Sequence, residues 1–338
     1  MKIEFEHIQS AHCENGVVSN LLNFNGLKKI TEPLAFGIGS GLFFIYLPFI
    51  KINNCPAFSY RIMPGLIFKR TCNSLGVKSE KITFSSTEKA QSYIDNILET
   101  GKAVGCQVGV YYLTYLPKEF RFHFNAHNIV VFGKEGDTYL ISDPVMESTT
   151  TLSTYELNRV RFAKGPLAPN GKIYYPEIIH DISDDQIRSA IKKGIKRNVR
   201  DMLHIPGPIV GISGIKYVGN RISKWKDKYG LQTAGAYLAQ IVRMQEEIGT
   251  GGGGFRFIYA AFLQEAFPFL PKDELLEIST QFTKSGDLWR SFAVQAAGVY
   301  KGRLSAQADF DLMKDQLHEI AEIEKSAFIS LSKINLDK

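Results

Sequence analysis

A cysteine, a histidine and an aspartate follow one another through the first half of the chain in an order that suits covalent acyl chemistry. Cys13 stands in Ser10-Ala11-His12-Cys13-Glu14-Asn15-Gly16, where a loop gives way to Val17, Val18, Leu21 and Leu22 at helical spacing. In the first turn of a helix, unpaired backbone N–H groups and the helix dipole favour a thiolate, the nucleophilic form of cysteine. A lone cysteine is more often a small buried hydrophobe than a nucleophile, so Cys13 needs partners. His127 opens a Val- and Ile-rich run to Gly133, and Asp143 closes a second run, Thr138 to Ser142. Lys134-Glu135-Gly136-Asp137 between them reads as a hairpin loop. An antiparallel hairpin brings His127 and Asp143 to the same end of the sheet. Singly, His127 is a strand-end histidine and Asp143 a turn former before Pro144. Together with Cys13 they are nucleophile, base and orienter: His127 takes the thiol proton, and Asp143 holds the other ring nitrogen.

The elements that must position these groups follow from pattern. Residues 14 to 25 read as the cysteine helix, stopped by Gly26. Gly37, Gly39 and Gly41 match neither a phosphate loop nor the dinucleotide fingerprint and read as a turn that lets backbone pass closely. Helices are expected over Pro64 to Leu75 and Thr87 to Thr100, the latter capped by Ser86. Strands are expected over Val77 to Phe84, Ala103 to Tyr112, Phe120 to Phe124, His127 to Gly133 and Thr138 to Ser142. Pro166, Pro169, Gly171 and Pro176 then mark a linker or crossing loop.

Beyond it the period changes to that of helices. Ser183-Asp184-Asp185-Gln186 opens a helix with Ile187, Ile191, Ile195, Val199 and Met202 on one face. The other face carries Arg188, Lys192, Lys196 and Arg200. That row is a solvated face or a dock for an acidic carrier protein or a phosphopantetheine or CoA phosphate. Further helices are expected over Gly214 to Tyr229, Leu231 to Ile248, Phe255 to Phe267, Lys272 to Thr283, Gly286 to Tyr300 and Ser305 to Ser332. The run Gly249 to Gly254 is a hinge, or a nest of N–H groups for an anion that Arg256 and Tyr259 would face. The whole predicts an α+β domain with an antiparallel sheet over residues 1–175 and an all-α domain over 176–338.

Composition bounds the function. With 338 residues, 44% hydrophobic and 22% charged, the chain suits a globular protein of one large or two ordinary domains. Its formal charge of +6 permits an acidic partner without indicating nucleic acid. Cys13, Cys55, Cys72 and Cys106 form no CxxC pair, which argues against a zinc site or disulfide scaffold and fits a reducing cytoplasm. No apolar run is long enough to span a membrane, and the stretch Met1 to Glu6 lacks the pattern of a signal peptide. A cytoplasmic protein with no metal and no membrane span is the expectation.

His12-Cys13, the spaced leucines, Glu32 before Phe36-Gly37-Ile38-Gly39-Ser40-Gly41, Gly109-Val110-Tyr111-Tyr112-Leu113 and His127 to Asp143-Pro144 also resemble a known pattern. They are similar to the N-terminal domain of the butirosin-biosynthesis H (BtrH-like) family, over about residues 7 to 150. The order Cys, His, Asp-Pro resembles papain-like folds too, especially the double-glycine leader peptidases of bacteriocin exporters. The resemblance implies a papain-like fold and amide-forming acyl transfer in specialised metabolism. The family's type member moves an aminoacyl chain from a carrier-protein thioester to an amine of an aminoglycoside. The match makes Cys13, His127 and Asp143 the triad, with Gln9 as the oxyanion glutamine and His12, Glu32 and Tyr111 near substrate; Gln107 is a second oxyanion candidate by its strand position. Papain-like enzymes carry their oxyanion glutamine further before the cysteine than Gln9 stands, and relatives carry an acidic residue near Gly109 or Val110. Gly252, Gly253, Arg256 and Tyr259 resemble the substrate region of the helical domain that commonly follows.

The expected donor is a phosphopantetheine thioester, on an acyl carrier protein or on CoA, with no cofactor held by the chain. The acceptor is a small-molecule amine, and a homodimer is allowed. A cysteine peptidase or amidohydrolase with the same triad is the alternative within enzymes. A non-catalytic binding protein on that fold is the alternative outside them.

Overall fold

The computed structural model describes residues 3–52, 54–177 and 181–336. The apolar run after the loop at Cys13 forms α1 (Cys13–Phe24), and Glu32 opens the short α2 (Glu32–Ile38). β1 (Leu42–Ile52) and β2 (Cys55–Arg61) make a separate antiparallel hairpin. There follow α3 (Leu66–Leu75), β3 (Lys78–Ile82), α4 (Thr87–Glu99) with Ser86 as its cap, and β4 (Val104–Val108). β5 (His127–Glu135), β6 (Thr138–Ser142), β7 (Thr150–Ser153), α5 (Thr154–Arg161) and β8 (Ile173–Glu177) complete this part. The helices α6 (Asp184–Leu203), α7 (Gly211–Ile222), α8 (Trp225–Tyr229) and α9 (Leu231–Val242) come next. The last are α10 (Arg256–Ala266), α11 (Asp273–Tyr300) and α12 (Gln307–Lys333).

Two compact units result. The first joins Met1–Ala35 to Ile67–Ser183; the second joins Phe36–Leu66 to Asp184–Lys338. The expected division at 175/176 kept residues 1–175 together, whereas the segment carrying the β1–β2 hairpin belongs with the helices.

In the first unit, among the described residues, a six-stranded sheet runs in the order β3-β8-β4-β5-β6-β7 with every neighbouring pair antiparallel. One face carries Val104, Cys106, Val108, Ile129 and Val131, packed with Ile94 and Leu98 of α4 and Leu157 and Val160 of α5. Helix α1 lies against β5, β4 and β8. This is the α+β architecture with an antiparallel sheet that the sequence implied, a cysteine-bearing helix on a sheet that carries the histidine.

Local differences have physical reasons. The hairpin loop is shorter than expected: Glu135 pairs with Thr138, a bulge between Val131 and Gly133 absorbs a residue, and Gly136 turns the chain at φ 58°. The strand from Ala103 stops at Val108; the Gly109 N–H goes to the Val160 carbonyl and Val110–Tyr112 makes a 3₁₀ turn, with a glycine at 109 because a Cβ there would lie 2.5 Å from Ala163 Cβ. No strand forms over Phe120 to Phe124; Lys118–Phe120 makes one 3₁₀ turn. The proline-rich linker contains β8, an inner strand of the sheet, and its Pro176 pairs with Ser79.

In the second unit β1 packs on α6 and α7, and α11 packs on α9, α10 and α12. The expected break before Gly286 is absent. Helix α11 runs through it, and Gly286 is needed there because a Cβ would meet the Phe257 ring at 2.7 Å. Conversely, the helix expected over Gly214 to Tyr229 divides into α7 and α8. No described helix is long and apolar enough to cross a membrane.

Candidate active site

Cys13 is the first residue of α1, and several bonds fix the loop that delivers it. His12 is the N-cap, in extended backbone (φ −128°, ψ 130°), and its Nδ1 accepts from the Asn15 N–H at 3.3 Å. The Glu32 carboxylate takes the N–H of Ala11 at 2.9 Å and of His12 at 2.7 Å. The Ser10 N–H donates to the Pro144 carbonyl at 2.7 Å, tying the cysteine loop to the turn after Asp143. Gly16 allows that approach: a Cβ there would meet Pro144 Cβ at 2.5 Å. His12 and Glu32 were expected near substrate. The structure instead uses both to hold the start of α1, because that loop presents N–H groups that need acceptors.

The β5–β6 hairpin brings the other two groups together. His127 opens β5 opposite Val108 of β4, and Asp143 directly follows β6. His127 Nε2 lies 2.7 Å from Asp143 Oδ2, with both side chains buried. The same Oδ2 accepts the Tyr115 hydroxyl at 2.7 Å, and Oδ1 accepts the Val145 N–H at 3.2 Å. The ring's other nitrogen, Nδ1, is not used by Asp143, and the Cys13 sulfur is close enough to favour a proton on the imidazole. Burial opposes charge on His127. The Asp143 carboxylate and the Cys13 sulfur outweigh it and hold the imidazole well above its usual value. Burial likewise pushes the Asp143 carboxyl up, and the His127 ring with the Tyr115 and Val145 hydrogen bonds overrides it, holding the carboxyl below the usual range. Burial, the Asp143 charge and the hydrogen bond to it keep the Tyr115 phenol protonated. The arrangement can ionise a sulfur, carry its proton on an oriented imidazole and return it.

Asn128 is a fourth group at the sulfur. Its Nδ2 lies 3.9 Å from Cys13 Sγ and donates to the Ala126 carbonyl at 3.0 Å, while Oδ1 accepts the Tyr174 hydroxyl at 2.7 Å. Neither Asn128 nor Tyr115 was singled out from sequence. Strand alternation argues that His127 and its neighbour face opposite ways, which hid Asn128. The signal was a polar residue heading the apolar run Ile129-Val130-Val131. Tyr115 sits in a loop that no periodicity reads.

Other expected site residues have different surroundings. Gln9 is exposed. The Gln107 amide is fully engaged: Nε2 donates to the Asn125 and Leu167 carbonyls at 2.7 and 2.9 Å, and Oε1 accepts Lys172 Nζ at 2.6 Å. Its strand position is opposite Asn128, but its polar atoms are spent on the neighbouring loops. Tyr111 is half exposed and stacks on His123 with centroids 4.1 Å apart.

In the second unit the glycine nest is filled from within. Gly253 N–H donates to the Glu246 carboxylate at 3.0 Å, and Gly252 N–H to Thr250 Oγ1 at 3.1 Å. Arg256 is wholly buried and forks onto Glu324, at 2.8 Å from Nε and 2.9 Å from Nη2. Tyr259 is buried against Phe262, Phe282 and Phe328. These four residues were expected to meet substrate; they form the interior because the chain supplies its own carboxylates to the N–H nest and the guanidinium. On α6, Arg188 holds Asp185 and the Phe269 carbonyl, and Arg200 holds Asp201. Lys192 is partly buried and Lys196 exposed. Among the described residues no group of three or more His, Cys, Asp or Glu could hold a metal ion.

Comparison with known proteins covers both parts of the chain. Residues 12–144 match the family described as butirosin biosynthesis protein H, N-terminal. Residues 155–331, just over half the chain, match the domain of unknown function DUF4872. A solved structure from Bacillus anthracis, described as a C39-like peptidase, is similar over 54% of this chain and 100% of its own, at 14% identity and a TM-score of 0.35. A search of curated proteins finds no match. The chain therefore belongs to the DUF4872 family and carries, ahead of that domain, the N-terminal domain of the butirosin biosynthesis protein H family.

Proposed function

We propose that the protein is a cysteine acyltransferase that forms an amide from a thioester donor and an amine. The observation that carries this reading is the buried His127–Asp143 pair, 2.7 Å apart, set on a cysteine at a helix N-terminus. Cys13 gives its proton to His127 and its sulfur attacks the thioester carbonyl. The tetrahedral adduct collapses to an acyl-Cys13 thioester, and the donor's thiol leaves with the proton from His127. The exchange is close to thermoneutral, since one thioester replaces another. An amine then attacks the acyl carbon. Its proton passes to His127 and on to the departing Cys13 sulfur. The net products are an amide and a free thiol.

Two features support transfer over hydrolysis. The reacting groups are shielded, Cys13 at 6% and His127 at 7% exposure, which limits water at the acyl-enzyme. The matched N-terminal family is named for a biosynthetic protein, and amide formation is a biosynthetic reaction. The donor would be a phosphopantetheine thioester, on a carrier protein or CoA, with the helical unit assigned to recognising donor or acceptor.

The test is to incubate the protein with an aminoacyl N-acetylcysteamine thioester, with and without a panel of amines. Free thiol and amide are then measured. Amine-dependent amide formation that Cys13→Ala abolishes supports the reading. Thiol and free acid released at one rate whatever the amine would make the protein a hydrolase. Release no faster than with Cys13→Ala would make it a binding protein.

A further inference from the structure

Any acyl transfer through Cys13 passes through a tetrahedral adduct whose oxygen bears negative charge, and a hydrogen-bond donor must meet it. The sequence suggested Gln9 or Gln107 for that donor. Gln9 is exposed, and both Gln107 amide hydrogens are committed to carbonyls. We infer that Asn128 is the side-chain oxyanion donor and that Tyr174 is its positioning residue. The inference rests on the acyl-Cys13 reading above.

The Asn128 amide can be oriented in one way only. Nδ2 faces the Ala126 carbonyl at 3.0 Å, which can accept but not donate. On the other side Oδ1 takes the Tyr174 hydroxyl at 2.7 Å. One Nδ2 hydrogen is used on Ala126, and the second is directed toward Cys13 Sγ, 3.9 Å away. The adduct oxygen sits one atom beyond the sulfur's new bond, so a donor at that range is set to reach it at about 2.7–3.1 Å. The Cys13 N–H, in the first turn of α1 and without an intrahelical acceptor, is the natural second donor.

Tyr174 is itself held. It is buried on β8, its ring lies 4.7 Å from that of Phe68, and the glycine at Gly105 leaves room for it, since a Cβ there would sit 2.5 Å from the ring. Three strands thus converge on one amide: β4 supplies the space, β8 the hydroxyl and β5 the asparagine.

The test separates reactions that generate the oxygen anion from one that does not. Iodoacetamide alkylates Cys13 by displacement at carbon, with no tetrahedral oxygen. Thioester acylation has one, and so does reversible addition of a small aliphatic aldehyde, read as protection of Cys13 from iodoacetamide. Asn128→Ala is expected to slow acylation about 10²-fold, as loss of an oxyanion donor does. Aldehyde protection should weaken at least tenfold, while alkylation shifts by less than about threefold. Tyr174→Phe, which keeps the asparagine but frees it to turn, should lower kcat several-fold with little change in KM. It also serves if Asn128→Ala folds poorly. Equal losses in acylation and alkylation would show that Asn128 acts on the sulfur, and unchanged acylation and aldehyde protection would show no role; either overturns the inference. If wild type consumes no thioester yet Asn128→Ala loses aldehyde protection, the acyltransferase reading fails while the oxyanion assignment holds.

Discussion

Asp143 in the first unit and Glu324 in the second are both fully buried carboxylates facing a single cationic partner. Their surroundings differ in one respect. Glu324 takes Arg256 through both oxygens, and Oε1 also accepts Ser285 Oγ and the Trp289 indole N–H; Arg256 Nη1 finishes on the Gly254 carbonyl. That network closes on itself within α10, the turn just before it, α11 and α12. Asp143 is as well supplied, by His127, Tyr115 and Val145, but its cation keeps a second nitrogen outside that set, and the nearby Cys13 sulfur favours its charge. A saturated buried ion pair can only hold structure together, whereas one that ends on an ionisable sulfur can move a proton.

Removing one carboxylate from each network is the strongest way to break this contrast. Asp143→Asn should lower thioester turnover about 10³-fold or more by leaving the imidazole in the wrong tautomer, with a modest change in melting. Glu324→Gln leaves the Arg256 charge buried and unpaired. It should cost about 3–5 kcal/mol of stability, while the molecules still folded turn over within threefold of wild type. Turnover assays beside urea melts decide it. A Glu324→Gln protein that is folded but dead would erase the distinction.

The cysteines sharpen the comparison next. Burial pushes Cys72 up to about 12 and Cys106 up to about 11, and burial also raises Cys55. Cys13 alone has a histidine held charged beside it. At pH 7, iodoacetamide followed by peptide mapping should label Cys13 at least tenfold faster than the other three. His127→Ala should remove most of that advantage. Equal labelling in wild type would mean that the imidazole does not ionise the sulfur.

The smallest effect concerns Tyr115. Its hydrogen bond helps hold the Asp143 carboxyl low, so Asp143 stays ionised, and supports the His127 charge, until pH falls through the depressed value. Tyr115→Phe lets the carboxyl rise toward about 3.9, the ordinary value. Turnover should fall only a few-fold, and the acid limb of the pH–rate profile should move to higher pH. A limb that stays in place would mean Tyr115 only fills space.

The site was legible where it rests on local structure and illegible where it rests on distant partners. The helix at Cys13 shows in its spaced valines and leucines, and the hairpin in two Val- and Ile-rich runs around Gly136. Together they suffice to bring His127 beside Asp143. β8 was hidden because Pro176 lies inside it, and proline in an inner strand normally argues against the assignment. Arg256 read as a ligand-binding residue because its partner stands 68 positions away on another helix. The nest at Gly253 misled in the same way, since its anion is Glu246 of the same chain. His12 shows the converse. As a residue it suggested substrate, yet its position one before α1 makes it a cap.

The most direct test of Cys13 as acyl carrier is the intact mass of the protein after mixing with an acyl thioester in the absence of amine. One acyl group per chain should appear, located at Cys13 by fragmentation and absent from Cys13→Ala, and adding the amine should discharge it as the amide. No adduct on wild type, or an adduct that Cys13→Ala carries equally, would contradict the account.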